Sequence, residues 1–210
     1  MKYACFISYR HPGNPDTAKL VRAFGQALES RICLHVAGAR AYLDEDKLTA
    51  GDIYQEELAA ELCASACMVL LFNRSYFDLT HHFCAREYQA MLRLEQQRLA
   101  LAPEDFRSKG LILPVTLRDP DRLPFEIRGH RHYHDISKLT LVSRSFQSTA
   151  WTKELDAIAR VVADRYYAVR SLPAHEHDCA GFRLPPFAEI ESWLRQVVAE
   201  SGPVTLPGRQ

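Results

Sequence analysis

Ala66-Cys67-Met68-Val69-Leu70-Leu71-Phe72 is an unbroken apolar run, and it limits what this chain can fold into more than any other feature. A strand with one wet face alternates apolar and polar residues. A parallel strand with helices over both faces reads instead as continuous apolar sequence, so this run predicts a central strand of a covered parallel sheet. Asn73, Arg74 and Ser75 end it. A short loop, Tyr76 to His82, leads into a helical pattern with Cys84, Tyr88, Met91, Leu92 and Glu95 at three- and four-residue spacings. Glu87 falls in the first turn of that helix, above the strand's C-terminal end.

The rest of the chain repeats the alternation. Tyr3 to Tyr9 reads as a first strand and Asp16 to Arg31 as a helix with Leu20, Phe24, Ala27 and Leu28 on one face, started by Asn14-Pro15-Asp16. Arg40 to Asp44 is a short second strand, Glu45 to Gly51 a polar loop, and Asp52 the cap of a helix to about Cys63, with Glu56 and Glu57 near the dipole's positive end. Gly110 to Thr116 is a fourth strand whose Pro114 suggests an edge or strand-end position. His132 to Ile136 is a brief fifth, and Thr149 to Ala168 a closing helix. This order predicts an α/β, flavodoxin-like doubly wound sheet of about five parallel strands with helices on both faces, over residues 1–168. Residues 169–186 read as a Pro-rich linker and 187–210 as an amphipathic helix and tail. The helix carries an apolar stripe of Ile190, Trp193, Leu194 and Val197, and packing of that stripe back on the domain is favoured over docking on a partner.

Composition excludes some classes. Lys and Arg (26) balance Asp and Glu (26), which gives no electrostatic case for nucleic acid or an anionic membrane as partner. The first strand is too short for a signal sequence or a membrane span, so a cytoplasmic location is expected. Cys5, Cys33, Cys63, Cys67, Cys84 and Cys179 fit no disulfide framework or zinc-finger spacing, and reduced thiols are expected. His130, His132 and His134 alternate, and His175, His177 and Cys179 have similar spacing. The first set lies among arginines on an edge strand and the second in a Pro-rich connector without a fourth ligand, so no metal site is assigned.

In a 2-1-3-4-5 sheet the strand order reverses between strands one and three, and ligands bind outside those two C-terminal ends. Ser8, Tyr9, Arg10 and His11 leave strand one there, and Asn73, Arg74 and Ser75 leave strand three. Arginines can fork onto a pyrophosphate, rings can stack on a base, and a carboxylate can accept from ribose hydroxyls. Taken singly, these residues have plain alternatives. A glutamate in a first turn often serves the helix dipole, Ser8 can bond the backbone at a strand end, and Cys84 can pack in the core. A phosphorelay receiver shares the fold, but it needs a phosphorylatable Asp where Asn73 stands.

Three segments carry a family resemblance. Cys5-Phe6-Ile7-Ser8-Tyr9, the stretch Tyr42 to Asp52 and Phe83-Cys84-Ala85-Arg86-Glu87 resemble, in order, the first box, the second box with its loop, and the aromatic-Cys-x-x-Glu segment of Toll/interleukin-1 receptor (TIR) domains. The chain resembles especially the bacterial stand-alone, Thoeris-like NAD-cleaving type, over about residues 3 to 168. Phe83 stands where many members have Trp. The resemblance implies that Glu87 is catalytic and that NAD+ is the substrate, with no cofactor. Phe83, Tyr9 and Tyr76 would then hold a ring of the substrate, beside Ser8, Arg10, Arg74 and Ser75 from the crevice. It further implies cleavage at the nicotinamide-ribose bond to nicotinamide and ADP-ribose or a cyclic isomer, as signal or NAD depletion in anti-phage defence. Asp46, Lys47 and Gly51 would lie on a loop for TIR-TIR homo-oligomer contacts, and a downstream effector could sense the product. A non-catalytic adaptor acting by self-association is the alternative.

Overall fold

The computed structural model describes residues 1–11, 13–44, 53–142, 146, 148–173 and 179–201. Its sheet contains β1 (Tyr3–Tyr9), β2 (Ala41–Leu43), β3 (Ser65–Phe72), β4 (Ile112–Thr116) and β5 (His134–Asp135) in the order β2-β1-β3-β4-β5. Every pairing is parallel. All eight residues of β3 are buried, which is why its sequence shows no alternation. Pro114 pairs in register with Leu70 on β3, while β5 reaches only Val115 and Thr116. β4 is therefore interior along part of its length and an edge at Pro114, where a missing N–H leaves no ladder bond unmade on the outer side.

Helix α1 (Pro15–His35) starts with Pro15 at its first position and with the Asn14 side chain accepting from the Asp16 N–H at 2.8 Å. It runs one turn past Arg31 because Ile32 continues the apolar face and is fully buried. Next come α2 (Ile53–Cys63), α3 (Phe83–Ala100), α4 (Glu104–Arg107), α5 (Phe125–Arg128), α6 (Ser137–Val142), α7 (Thr149–Arg170) and α8 (Phe187–Glu200). α1 and α7 pack together on one face of the sheet, and α2 and α3 cover the other.

Two buried charges fix α3 on the sheet. The Glu95 carboxylate accepts from the backbone N–H groups of Leu111 and Ile112 and pairs with the Arg131 guanidinium at 2.6 and 2.8 Å. The Arg98 guanidinium donates to the carbonyls of Cys63, Ser65 and Ala66 at the α2–β3 junction. A charge taken out of water is tolerated only with such partners, so these contacts specify where the helix sits.

The C-terminal helix packs back on the domain. Ile190, Leu194 and Val197 are buried, Trp193 stacks on Tyr88 with ring centroids 5.6 Å apart, and its indole N–H donates to Glu126 at 2.7 Å. The segment leading to it buries Leu184 and Pro185. One expectation is corrected here: Cys63 and Cys179 form a disulfide across 116 residues of sequence. Local spacing could not show this pairing. It follows from the return of the C-terminal segment over the end of α2, where the short 3-10 turn Cys179–Gly181 lands. Cys5, Cys33, Cys67 and Cys84 are free thiols.

Candidate active site

At the C-terminal ends of β1 and β3, where a sheet of this order places its ligand crevice, the fold delivers three side chains to one point beside the start of α3. Ser8 is the penultimate residue of β1 and buried, Tyr76 turns inward from the β3–α3 loop, and Glu87 lies five residues into α3. Ser8 Oγ donates to Glu87 Oε2 at 2.5 Å and lies 2.6 Å from the Tyr76 hydroxyl. Ser8 has one proton, so when it serves an ionised Glu87 the Tyr76 O–H must donate to Ser8. The chain Tyr76 to Ser8 to Glu87 thus aims two hydroxyl dipoles at one carboxylate.

Glu87 is 8 % exposed. It is the fifth residue of α3, past the first turn expected for it, where the helix dipole has largely fallen off. Burial pushes the Glu87 carboxyl up to about 8, against the pull of the Ser8 hydrogen bond, while Asp44 raises it further and Arg86 lowers it. Burial also lifts the Tyr76 phenol and the Cys84 thiol well above their ordinary ranges, so both stay neutral. Cys84 Sγ contacts the Tyr9 carbonyl at 3.3 Å, which makes it a packed core thiol and no nucleophile.

The first strand's other residues shape the wall. The Tyr9 hydroxyl donates to the Asp44 carbonyl at 2.7 Å, and the His11 ring lies 4.8 Å from that of Tyr9. Arg10, half-buried, carries positive charge toward Cys84. Phe83 is 38 % exposed at the rim. The His82 ring stacks near it at 5.6 Å, and the Arg86 guanidinium sits over it at 5.6 Å while its Nε–H donates to the Pro185 carbonyl at 2.7 Å. Phe187 of α8 stacks on His82 at 4.3 Å, so the C-terminal segment builds part of this rim.

Arg74 and Ser75 go elsewhere. Asn73 Oδ1 accepts from the Ser75 N–H at 2.8 Å and the Asn73 carbonyl from the Tyr76 N–H at 2.9 Å, a turn that sends Tyr76 inward. Arg74 and Ser75 are exposed and line a separate cavity beside α1. Asp46, Lys47 and Gly51, along with the cap Asp52, lie outside the described residues, as do His175 and His177. Cys179 is taken by the disulfide, and His134 lies 3.8 Å from Glu154.

Asp44 belongs at the site and was not among the candidates. It is 6 % exposed at the end of β2, its Oδ2 lies 3.5 Å from His11 Nε2, and its Oδ1 has no partner among the described residues. The available signal was an acidic residue closing the strand that flanks strand one. The Asp44 charge adds to the upward push on the Glu87 carboxyl.

A parallel 2-1-3-4-5 sheet with a buried carboxylate at its switch point defines the class as doubly wound, with ligands binding beyond the strands' C-terminal ends. Within that class, the TIR domain model matches residues 5–155, and the chain belongs to the TIR domain family. It is 28 % identical over 141 residues to the Brachypodium distachyon protein named "Probable 2' cyclic ADP-D-ribose synthase BdTIR"; the match covers 62 % of this chain and 57 % of that protein.

Proposed function

We propose that this chain cleaves NAD+ at the nicotinamide-ribose bond, with Glu87 as the catalytic carboxylate. The observation that carries the reading is the buried Glu87, which accepts from Ser8, itself bonded to Tyr76, at the C-terminal edge of the sheet. Nicotinamide in NAD+ is a pyridinium, so the C–N bond breaks with its electron pair leaving on a neutral base and no general acid is required. Positive charge develops on the ribose. Glu87, ionised, stabilises that cation, the kind of preorganised electrostatic contribution that dominates many rate enhancements.

The raised carboxyl fits this chemistry. Burial keeps the Glu87 carboxyl protonated to about pH 8, which lowers the cost of its position. A pyridinium placed beside it favours the charged form, so binding of the cationic substrate itself ionises the catalyst. Phe83 and Tyr9 would hold the rings, and Arg10 the pyrophosphate. Water gives ADP-ribose, and attack from within the molecule gives a cyclic isomer. The relative's printed name favours the second class of product.

The proposal extends to setting. The chain acts as a cytoplasmic homo-oligomer through TIR-TIR contacts that include Asp46, Lys47 and Gly51, and its product signals to an effector, or NAD is depleted, in bacterial anti-phage defence. Support for this comes from the resemblance of the three boxes. Among the described residues no helix is long and apolar enough to cross a membrane. Incubation of the pure chain with NAD+, followed by chromatography and mass analysis, tests the reaction: nicotinamide release is expected, and intact NAD+ at every concentration would remove the enzyme reading.

A further inference from the structure

On the face of the sheet opposite Glu87 lies a cavity of about 540 Å³, walled by α1, the Asn73–Ser75 turn, the residues after β4, Thr140 and Phe146. That volume is in the range that takes a small ligand. Lys19, Arg74 and Arg118 rim it, and none of the three has an ion-pair or hydrogen-bond partner among the described residues. Asp16 and Asp119 stand on the same rim, and Leu20, Ala23, Leu117 and Phe146 supply an apolar wall. The Phe146 ring is held in place by Trp151, 4.5 Å away.

This mixture selects among ligand classes. Inorganic anions would meet the cations but also the two carboxylates and the apolar wall. Apolar molecules would leave the charges unused. A ligand that joins a phosphate, vicinal hydroxyls and a flat ring satisfies all three, with phosphate on the cations, hydroxyls donating to a carboxylate, and the ring against Phe146 and Leu20. We propose that this cavity binds a nucleotide, a phosphorylated nucleoside, at a site separate from the Glu87 crevice. The two sites share the turn after β3, which sends Arg74 and Ser75 into one and Tyr76 into the other.

Calorimetric titration of AMP into the whole chain tests this without any reliance on NAD+ cleavage. Lys19→Glu and Arg118→Glu change exposed residues of the cavity, Phe83→Ala changes the Glu87 crevice, and circular dichroism checks that each variant is folded. The expected result is an AMP-binding component weakened about tenfold or more by either charge reversal, as loss of a charge-assisted contact requires. That component should be unchanged in Phe83→Ala, and adenosine and inorganic phosphate should each bind it more weakly than AMP does. Absence of AMP binding, or binding indifferent to both reversals, or binding lost in Phe83→Ala, would overturn the proposal.

Discussion

Glu87 combines two demands that conflict, since a catalyst must be charged and a buried carboxyl resists charge. Folded Glu87 releases its proton near pH 8 and the unfolded residue near its ordinary 4.5, so the folded state binds more protons between these values. Stability from this group therefore falls as pH rises across that window, and the cost is fully present above pH 8. Glu87→Gln should lower activity about a hundredfold or more and yet stabilise the chain by about 1–2 kcal/mol at pH 9, with no gain below pH 4.5. Denaturant unfolding of both proteins at the two pH values measures it. Ser8 donates to the charged form, so Ser8→Ala should move the rise of kcat/KM with pH upward by about one unit, the size expected for a lost bond to a charged group. A pH-rate profile that does not move would mean the bond is structural only. The role of Glu87 came only as what the family resemblance implies, while its place past a buried strand was legible in the sequence itself. Its burial, the Tyr76–Ser8–Glu87 relay and the part of Asp44 were not, because they depend on side chains from segments about 70 and 80 residues apart.

At the scale of elements, the pattern of strands and helices was largely readable, and the reason is visible in β3 and α1. Each carries a buried face long enough to impose its own period. The α8 stripe was equally plain, but periodicity says which residues seek burial and not against what. Its partners, Tyr88 and Phe77, come from α3 and its preceding loop, and Phe187 reaches His82 beside the crevice. Arg74 and Ser75 illustrate the same limit on a shorter length. Their neighbour Tyr76 points the other way because Asn73 closes the turn, a choice no apolar pattern encodes. The disulfide pins this C-terminal element to α2. Cys63→Ser should lower stability by about 2–4 kcal/mol in non-reducing buffer, and reductant should lower the native chain to the same level. Equal unfolding midpoints with and without the bond would show that the contacts of α8 alone hold the segment.

For the whole molecule, the sheet order sets where chemistry can occur. The strand order reverses between β1 and β3, the place where such sheets bind ligands, and helices cover both faces beside it. Crevice residues from β1, β2 and α3 lie on the α2–α3 side, whereas the second cavity lies on the α1–α7 side. If TIR-TIR contacts complete the site, turnover per chain should rise with protein concentration, and Gly51→Pro should lower turnover and assembly together in paired activity and light-scattering measurements. Turnover lost with assembly intact would place Gly51 outside the assembly contact. The central claim, that a buried Glu87 stabilises a ribosyl cation, has its most direct measurement in nicotinamide release from NAD+ by the native chain and by Glu87→Gln at equal concentration. We predict release by the native chain and a loss of about a hundredfold or more in the variant; equal rates in the two proteins would contradict it.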